Sequence, residues 1–420
     1  MKSKKTTFAI ASLFVALTIM MLLAVSRPVE AQTYSVVHNF TGGSDGANPI
    51  AGVTLDHSGS IYGTTSAGGR KGFGTVFRVV RSGPNWLFYL VYTFNGLTQN
   101  STDGSAPYAR VVIGPNGYLY GTTHSGGQGQ GCKALHGCGT VYSVKPKPGN
   151  IWVPWQETVL YNFGTYDGSN PDYGDLVFDP AGNLYGTTRN GGANLQGAVY
   201  ELSPNGGNWT EKVLYSFAGQ PDGATPLGGP VFDQAGNLYG TTYAGGANGS
   251  GTVYQLKPSG SGRTESILHS FQNGSDGVAP TGGVSFDQSG NLYGATQSGG
   301  SAGGGTLFEL TSLSGGSWSL STLYGFLGTG FGGAYRTVVT DAAGNLYGTT
   351  SGDGAHPWGS VYKLARSNGG WTYSSMHDFT GGADGGTPYG SLVFDASGNL
   401  YGTAFAGGAN GQGVVFEITP

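Results

Sequence analysis

The 420-residue chain carries 19 Lys and Arg against 23 Asp and Glu, and charged residues are only 10% of it. Setting aside residues 1–31 leaves 15 basic and 22 acidic side chains, a net charge of −7, which argues against nucleic acid or an anionic membrane surface as partner, since both select a basic face. Gly is abundant (81 residues), but 12% aromatic residues and regular apolar runs point to a packed core, and the excess of Gly, Thr, Tyr and Val predicts short strands joined by tight turns.

The chain opens with Lys2, Lys4 and Lys5, an apolar run from Phe8 to Val25, and the small-residue end Val29-Glu30-Ala31. This pattern predicts a signal peptide over residues 1–31, cut before Gln32, and a mature protein that is secreted or held at the cell surface or in the periplasm. A run of about 18 residues is also near the lower limit for a spanning helix, so a retained N-terminal anchor is the alternative. No second apolar stretch of that length follows, so no other membrane contact is expected.

From residue 34 onward the chain repeats itself. A Tyr-Gly pair recurs at Tyr62, Tyr120, Tyr185, Tyr239, Tyr293, Tyr347 and Tyr401, at intervals of 58, 65, 54, 54, 54 and 54. The fourth copy shows four strand-sized pieces: Gly229–Asp233, Asn237–Thr242, Gly251–Leu256 and Glu265–Phe271. Four antiparallel strands per repeat make a propeller blade. The fold class is therefore all-β, a single seven-bladed β-propeller over 32–420, with blades near 51–94, 109–163, 174–217, 228–271, 282–326, 335–379 and 390–420 plus 34–40. The chain begins with a fourth-strand segment, Tyr34–Phe40, and ends with a third-strand segment, Gly413–Ile418. The N-terminal strand is thus predicted to complete the last blade and close the ring.

Most repeated residues read as structure. The Gly after each Tyr is expected to make room for the Phe of a neighbouring strand (Phe178, Phe232, Phe394). The Asp…Gly turns (Asp179/Gly182, Asp233/Gly236, Asp395/Gly398) fit tight hairpins. Tyr161/Phe163, Tyr215/Phe217 and Tyr324/Phe326 read as packing between blades, with His38, His269 and His377 taking the same slot as those Tyr residues.

Two sets of loops should share one face of the ring. One carries Asp-Gly-x-x-Pro, with Asp45, Asp103, Asp167, Asp222, Asp276 and Asp384; the sixth copy has Gly330 instead. Beside Gly and Pro these carboxylates fit Asx-type turns, with calcium as the other reading; otherwise no cofactor or metal is predicted. The second set follows the Tyr-Gly-Thr-Thr strand, and the next residue differs in every copy: Ser66, His124, Arg189, Tyr243, Gln297, Ser351 and Phe405. Just before the first strand, Arg110 and Arg336 stand where other copies have Gly, Ser or Thr, with Tyr108, Tyr173, Tyr335 and Tyr389 nearby. Arg110, His124, Arg189, Tyr243, Gln297, Arg336 and Phe405 are therefore the candidate ligand-binding residues, on a face suited to sugars or peptides. Cys132 and Cys138, in one loop of an exported chain, are expected to form a disulfide. No catalytic constellation is evident, and no phosphate loop or nucleophile elbow occurs.

The motif G-N-L-Y-G-T-T…G-G…G-T-V-Y-x-L, at Gly182–Leu202, Gly236–Leu256 and Gly344–Leu364 with small departures, resembles the GloVer tandem repeat of exported bacterial proteins. That resemblance implies a secreted or surface repeat protein and brings no established activity. V-x-x-D-x-x-G-N-L-Y is more distantly similar to NHL-type blades, whereas the marks of WD40 repeats and the sialidase Asp-box are absent. The leading expectation is a monomeric, non-catalytic module that binds or scaffolds a glycan or an extracellular protein on its loop-rich face. The alternatives are a carbohydrate-active hydrolase or lyase working at the channel mouth, and a purely structural surface protein.

Overall fold

The computed structural model describes residues 32–98, 101–132, 137–147, 154–260, 262–327, 332–367 and 369–419. The expected signal peptide (residues 1–31), His136 and Gly330 lie outside the described residues. Alternating apolar residues and turn glycines give strands throughout, and no helix occurs among the described residues. The strands form seven four-stranded antiparallel sheets in a ring.

In the first six blades the strands run outward in chain order. Blade 3 is typical: Val177–Phe178, Leu184–Thr188, Ala198–Asn205 and Asn208–Ser216. The first strand is shorter than the pattern suggests, a ladder of two residues in every blade, as at Val231–Phe232. The second is buried along its whole length in every copy, because both of its faces are covered. The seventh blade takes its first three strands from Val393–Phe394, Leu400–Ala404 and Val414–Thr419, and its outer strand from Thr33–Asn39. Tyr34 pairs with Ile418 and Val36 with Phe416, so the ring closes as expected. Across that seam Arg81 of blade 1 reaches Glu417 at 3.1 Å, and Tyr401 Oη donates to the same carboxylate at 2.7 Å.

One contact repeats at all seven blade junctions. The Phe ending each fourth strand is fully buried and meets the third-strand ring of the next blade, edge to face at six junctions and tilted at Phe326–Tyr362. Phe94–Tyr142, Phe163–Tyr200 and Phe217–Tyr254 have centroids 5.0, 4.9 and 5.1 Å apart, and Phe40–Phe77 repeats this at 5.2 Å across the closure. Such pairs add about 0.5–1.5 kcal/mol each beyond their buried area.

The Gly of Tyr-Gly serves a different neighbour from the one expected. A Cβ on Gly186 would lie 2.4 Å from Tyr200 Oη, and one on Gly63 would lie 2.4 Å from the Phe77 ring. The glycine therefore makes room for the third-strand ring of its own blade. The first-strand Phe instead packs on the Tyr, as Phe232 does on Tyr185 at 4.9 Å. The two threonines that follow are also assigned. Thr187 donates to the Gly228 carbonyl of the next blade at 3.1 Å, while Thr242 bonds Thr252 of its own blade at 2.8 Å.

The slot shared by Tyr and His has a second duty. Tyr92, Tyr215, His269 and His377 lie within 2.9–3.1 Å of Asp103, Asp222, Asp276 and Asp384, and Tyr161 bonds Asp167. Where the slot holds Tyr and keeps its Asp, the next blade supplies a Glu beside it, namely Glu157, Glu211 or Glu265. Where it holds His, the next blade supplies Phe88, Leu320 or Tyr34 at the paired register position. Burial, then the adjacent Asp, pushes the three Glu carboxyls up to about 8, 8 and 7.

Candidate functional site

The two loop sets do share a face, because each entry loop bridges the loop between the second and third strands of its own blade. Ala47 pairs with Ala67, Ser169 with Asn190, Val278 with Ser298 and Gly386 with Ala406. The entry-loop carboxylates act as turn formers: Asp222 accepts from the N–H of Ala218 and of Gly223, as an Asx-type turn requires. Among the described residues no three His, Cys, Asp or Glu side chains gather closely enough to hold a metal.

The residue before each entry-loop Pro adopts a left-handed conformation: Asn48, Ala106, Asn170, Thr225, Ala279 and Thr387 have φ between 53° and 58°. Non-glycine residues rarely sit there, and β-branched Thr least of all. This conformation turns a carbonyl toward the variable loop. It accepts the backbone N–H of Ser66, His124, Arg189, Tyr243, Gln297 and Phe405, at 3.2, 3.0, 3.0, 3.0, 3.1 and 3.2 Å. The variable positions are thus held in one register around the channel mouth.

Above the channel these residues assemble with the tyrosines into an aromatic collar. Tyr335 meets Tyr389 at 4.9 Å, Tyr389 meets Phe405 at 5.6 Å, and Tyr108 stacks on Tyr173 at 5.6 Å. Ile50, Tyr173, Thr281, Tyr335, Tyr389 and Phe405, with Arg336 beneath, line a cavity of about 290 Å³. Burial raises the pKa of Tyr108, Tyr173, Tyr335 and Tyr389, so the collar presents neutral phenols at physiological pH. Gln297 lies beneath it, only 7% exposed, and donates to Tyr335 Oη. Tyr243 is close enough to raise the Tyr335 pKa further.

Arg336 is not a mouth residue of the expected kind. Although Arg110 and Arg336 look equivalent in sequence, the ring places them one register apart. Arg336 corresponds to Ala51, Ala109 and Gly390, the residues next to the axis, and it is 8% exposed. Its guanidinium donates to main-chain carbonyls of four other blades: Tyr389 at 3.2 Å, Tyr108 at 2.9 Å, Ile50 at 3.5 Å, and Tyr173. It also stands 4.7 Å over the Tyr173 ring. Burial lowers its pKa, while the charge of Asp175 opposes that. The side chain lies between the mouth and a second cavity of about 520 Å³ that runs down the first strands. Arg110 lines that lower cavity, with its Nε 2.6 Å from Asp175 Oδ2.

The sequence reading missed Asp172. The third copy reads Pro171-Asp172-Tyr173-Gly174 where others read Pro-x-Gly or Pro-x-Ala, so Asp172 is a one-residue insertion. Careful register alignment could have exposed it, but not its partners. Asp172 is 3% exposed; one oxygen meets His124 Nδ1, from the second blade, and the other meets Arg189 Nη1 at 3.3 Å. Tyr108 lies 5.1 Å from the His124 ring. Two of the predicted residues are therefore joined by an unpredicted carboxylate. Cys132 and Cys138 form the expected disulfide, with Cα atoms 5.4 Å apart.

Comparison with known proteins bears on the fold and the family. No curated protein matches the chain. Among solved structures, an ulvan lyase from a new polysaccharide lyase family, solved bound to -[GlcA(1-4)Rha3S]-, is similar with a TM-score of 0.53 at 11% identity, over 90% of this chain and 95% of its own. A second polysaccharide lyase gives a TM-score of 0.53 at 11% identity over 94% of each chain. A putative oxidoreductase (glucose dehydrogenase) from Thermus thermophilus gives 0.44 at 16% identity, over 74% of this chain and 96% of its own. At such identities the likeness concerns the fold alone. The Gloeobacter/Verrucomicrobia repeat pattern, in contrast, matches residues 25–231, 131–329 and 228–420 in overlapping stretches, and the chain therefore belongs to that repeat family.

Proposed function

We propose that this protein is an exported glycan-binding propeller whose ligand rests in the aromatic mouth. The observation that carries the reading is the collar of Tyr173, Tyr335, Tyr389 and Phe405 around a cavity of about 290 Å³, closed below by Arg336. Neutral phenols and a phenyl ring stack on the apolar faces of sugars, while phenol hydroxyls and exposed carbonyls bond sugar hydroxyls. The rest of the chain supplies a rigid frame for these few residues. Isothermal titration of the purified protein against soluble polysaccharides and oligosaccharides tests this. The Tyr389→Ala and Phe405→Ala variants are each expected to weaken binding about tenfold, the equivalent of about 1.4 kcal/mol. Binding that both variants retain in full would place the ligand elsewhere, and wild type that binds no glycan would favour a protein ligand.

A second reading, that the bound glycan is also cleaved, is favoured by the His124–Asp172 pair beside the collar.

A further inference from the structure

The inserted Asp172 does more than neutralise Arg189. With Nδ1 of His124 held by this buried carboxylate, Nε2 is the remaining ring nitrogen, and no described residue partners it. The imidazole side chain is 26% exposed. The Arg189 side chain is 47% exposed and spends only Nη1 on Asp172, leaving the rest of its guanidinium for an anion. The Tyr108 ring, whose phenol burial keeps protonated, lies 5.1 Å from the imidazole. A base, the carboxylate that orients it, a cation and a proton donor thus meet at the edge of the collar.

The carboxylates at this site are already committed. Asp172 is held by His124 and Arg189, and Asp175 by Arg110 at 2.6 Å. Glycoside hydrolysis by the usual route needs two carboxyl groups free to act as acid and as base or nucleophile. Proton abstraction beside a carboxylate needs instead a base, a cation for the growing charge, and an acid for the leaving oxygen. We propose that this cluster cleaves polysaccharides of 4-linked uronates by elimination, with His124 as the base, Asp172 as its positioning residue and Arg189 as the partner of the uronate carboxylate. The proposal rests on the glycan-binding reading above.

In the step, His124 Nε2 takes the proton from the ring carbon that bears the carboxylate. The electrons of that C–H bond form a double bond to the neighbouring ring carbon, and the bond from that carbon to the glycosidic oxygen breaks. The leaving oxygen takes a proton from a collar phenol, with Tyr108 nearest the imidazole. Proton return from imidazolium to phenolate resets the site, so no co-reactant is consumed.

Polygalacturonate, alginate and glucuronan are the probes, with dextran and xylan as neutral controls. Wild type is expected to generate the ultraviolet absorbance of an unsaturated uronate from at least one of the acidic chains and from neither control. His124→Ala is expected to lose roughly 100- to 10,000-fold in kcat while affinity electrophoresis shows binding retained. Asp172→Asn is expected to lower kcat while leaving KM nearly unchanged, a split that a merely structural role would not produce. Thermal melting of both variants confirms that each is folded. Binding of all three uronates without any unsaturated product overturns the proposal and leaves the binding reading standing. New reducing ends without that absorbance also overturn it, in favour of hydrolysis. Wild type that binds none of the five polysaccharides removes the binding reading and this proposal together.

Discussion

Arg336 offers a direct test of how the ring is held at its axis. Replacing it by Met keeps much of the volume and removes every donor, which leaves the carbonyls of Ile50, Tyr108, Tyr173 and Tyr389 facing an apolar side chain. An orphaned buried acceptor costs about 1–3 kcal/mol. Cavities of about 290 and 520 Å³ flank the site, so water reaches part of the ring and the low end applies. Removing the guanidinium also relieves its own desolvation, so four carbonyls come to a net loss of about 3–4 kcal/mol. Unfolding entropy near 2.1 cal/mol/K per residue gives a ring of this size about 0.8 kcal/mol/K, and the melting temperature is expected to fall by about 4–5 °C. Scanning calorimetry of wild type, Arg336→Met and Arg336→Lys measures this. The Lys variant should recover only part of the loss, because a compact ammonium cannot reach carbonyls on several blades at once. A Met variant that melts within about 1 °C of wild type would falsify the view that Arg336 ties the blades together.

Two further predictions concern the blade junctions. Glu157, Glu211 and Glu265 have folded-state pKa values near 8, 8 and 7, above the ordinary 4.5. A raised carboxyl pKa means that stability is fully present at acidic pH and is lost as pH rises from about 4.5 through about 8. Each unit at a well-buried site is worth about 1.36 kcal/mol, so Glu157 alone accounts for a few kcal/mol, while the more exposed Glu211 and Glu265 contribute less. The triple Gln variant should therefore show little of the stability loss that wild type shows as pH rises from about 7 to about 9. Parallel slopes for the two proteins would refute the assignment. Deleting residues 32–41 removes the outer strand of blade 7 together with Phe40, which is fully buried. Cooperative unfolding should be replaced by a broad transition with exposed apolar surface; a melting curve like that of wild type would sink the closure argument.

Much of the fold was legible because a repeat states its own rules seven times. The four-strand repeat, the Asp…Gly turns and the open phase between Tyr34 and Ile418 imply a closed seven-bladed ring from the chain alone. The Asp…Gly turn was read correctly because its bonds are local: Asp233 accepts the N–H of Ala235 and of Asn237, each at 2.9 Å. The Gly of Tyr-Gly was given the wrong neighbour because its contact lies across the sheet, with Tyr200 or Phe77. Spacing along the chain carries no information about that.

The mouth divides in the same way. The sequence by itself determined which positions vary on the loop face, since the pattern repeats in every copy and departures from it stand out. Only the tertiary structure decided what those residues do. Arg110 and Arg336 look alike in the chain, yet a one-residue offset sends one to Asp175 and the other to the axis, among the carbonyls of four other blades. His124 and Arg189 belong to different blades and share a partner, Asp172, that an insertion places between them. The physical reason is that local bonds are written in local sequence, whereas a contact made by closing a ring depends on the register and rotation of whole blades.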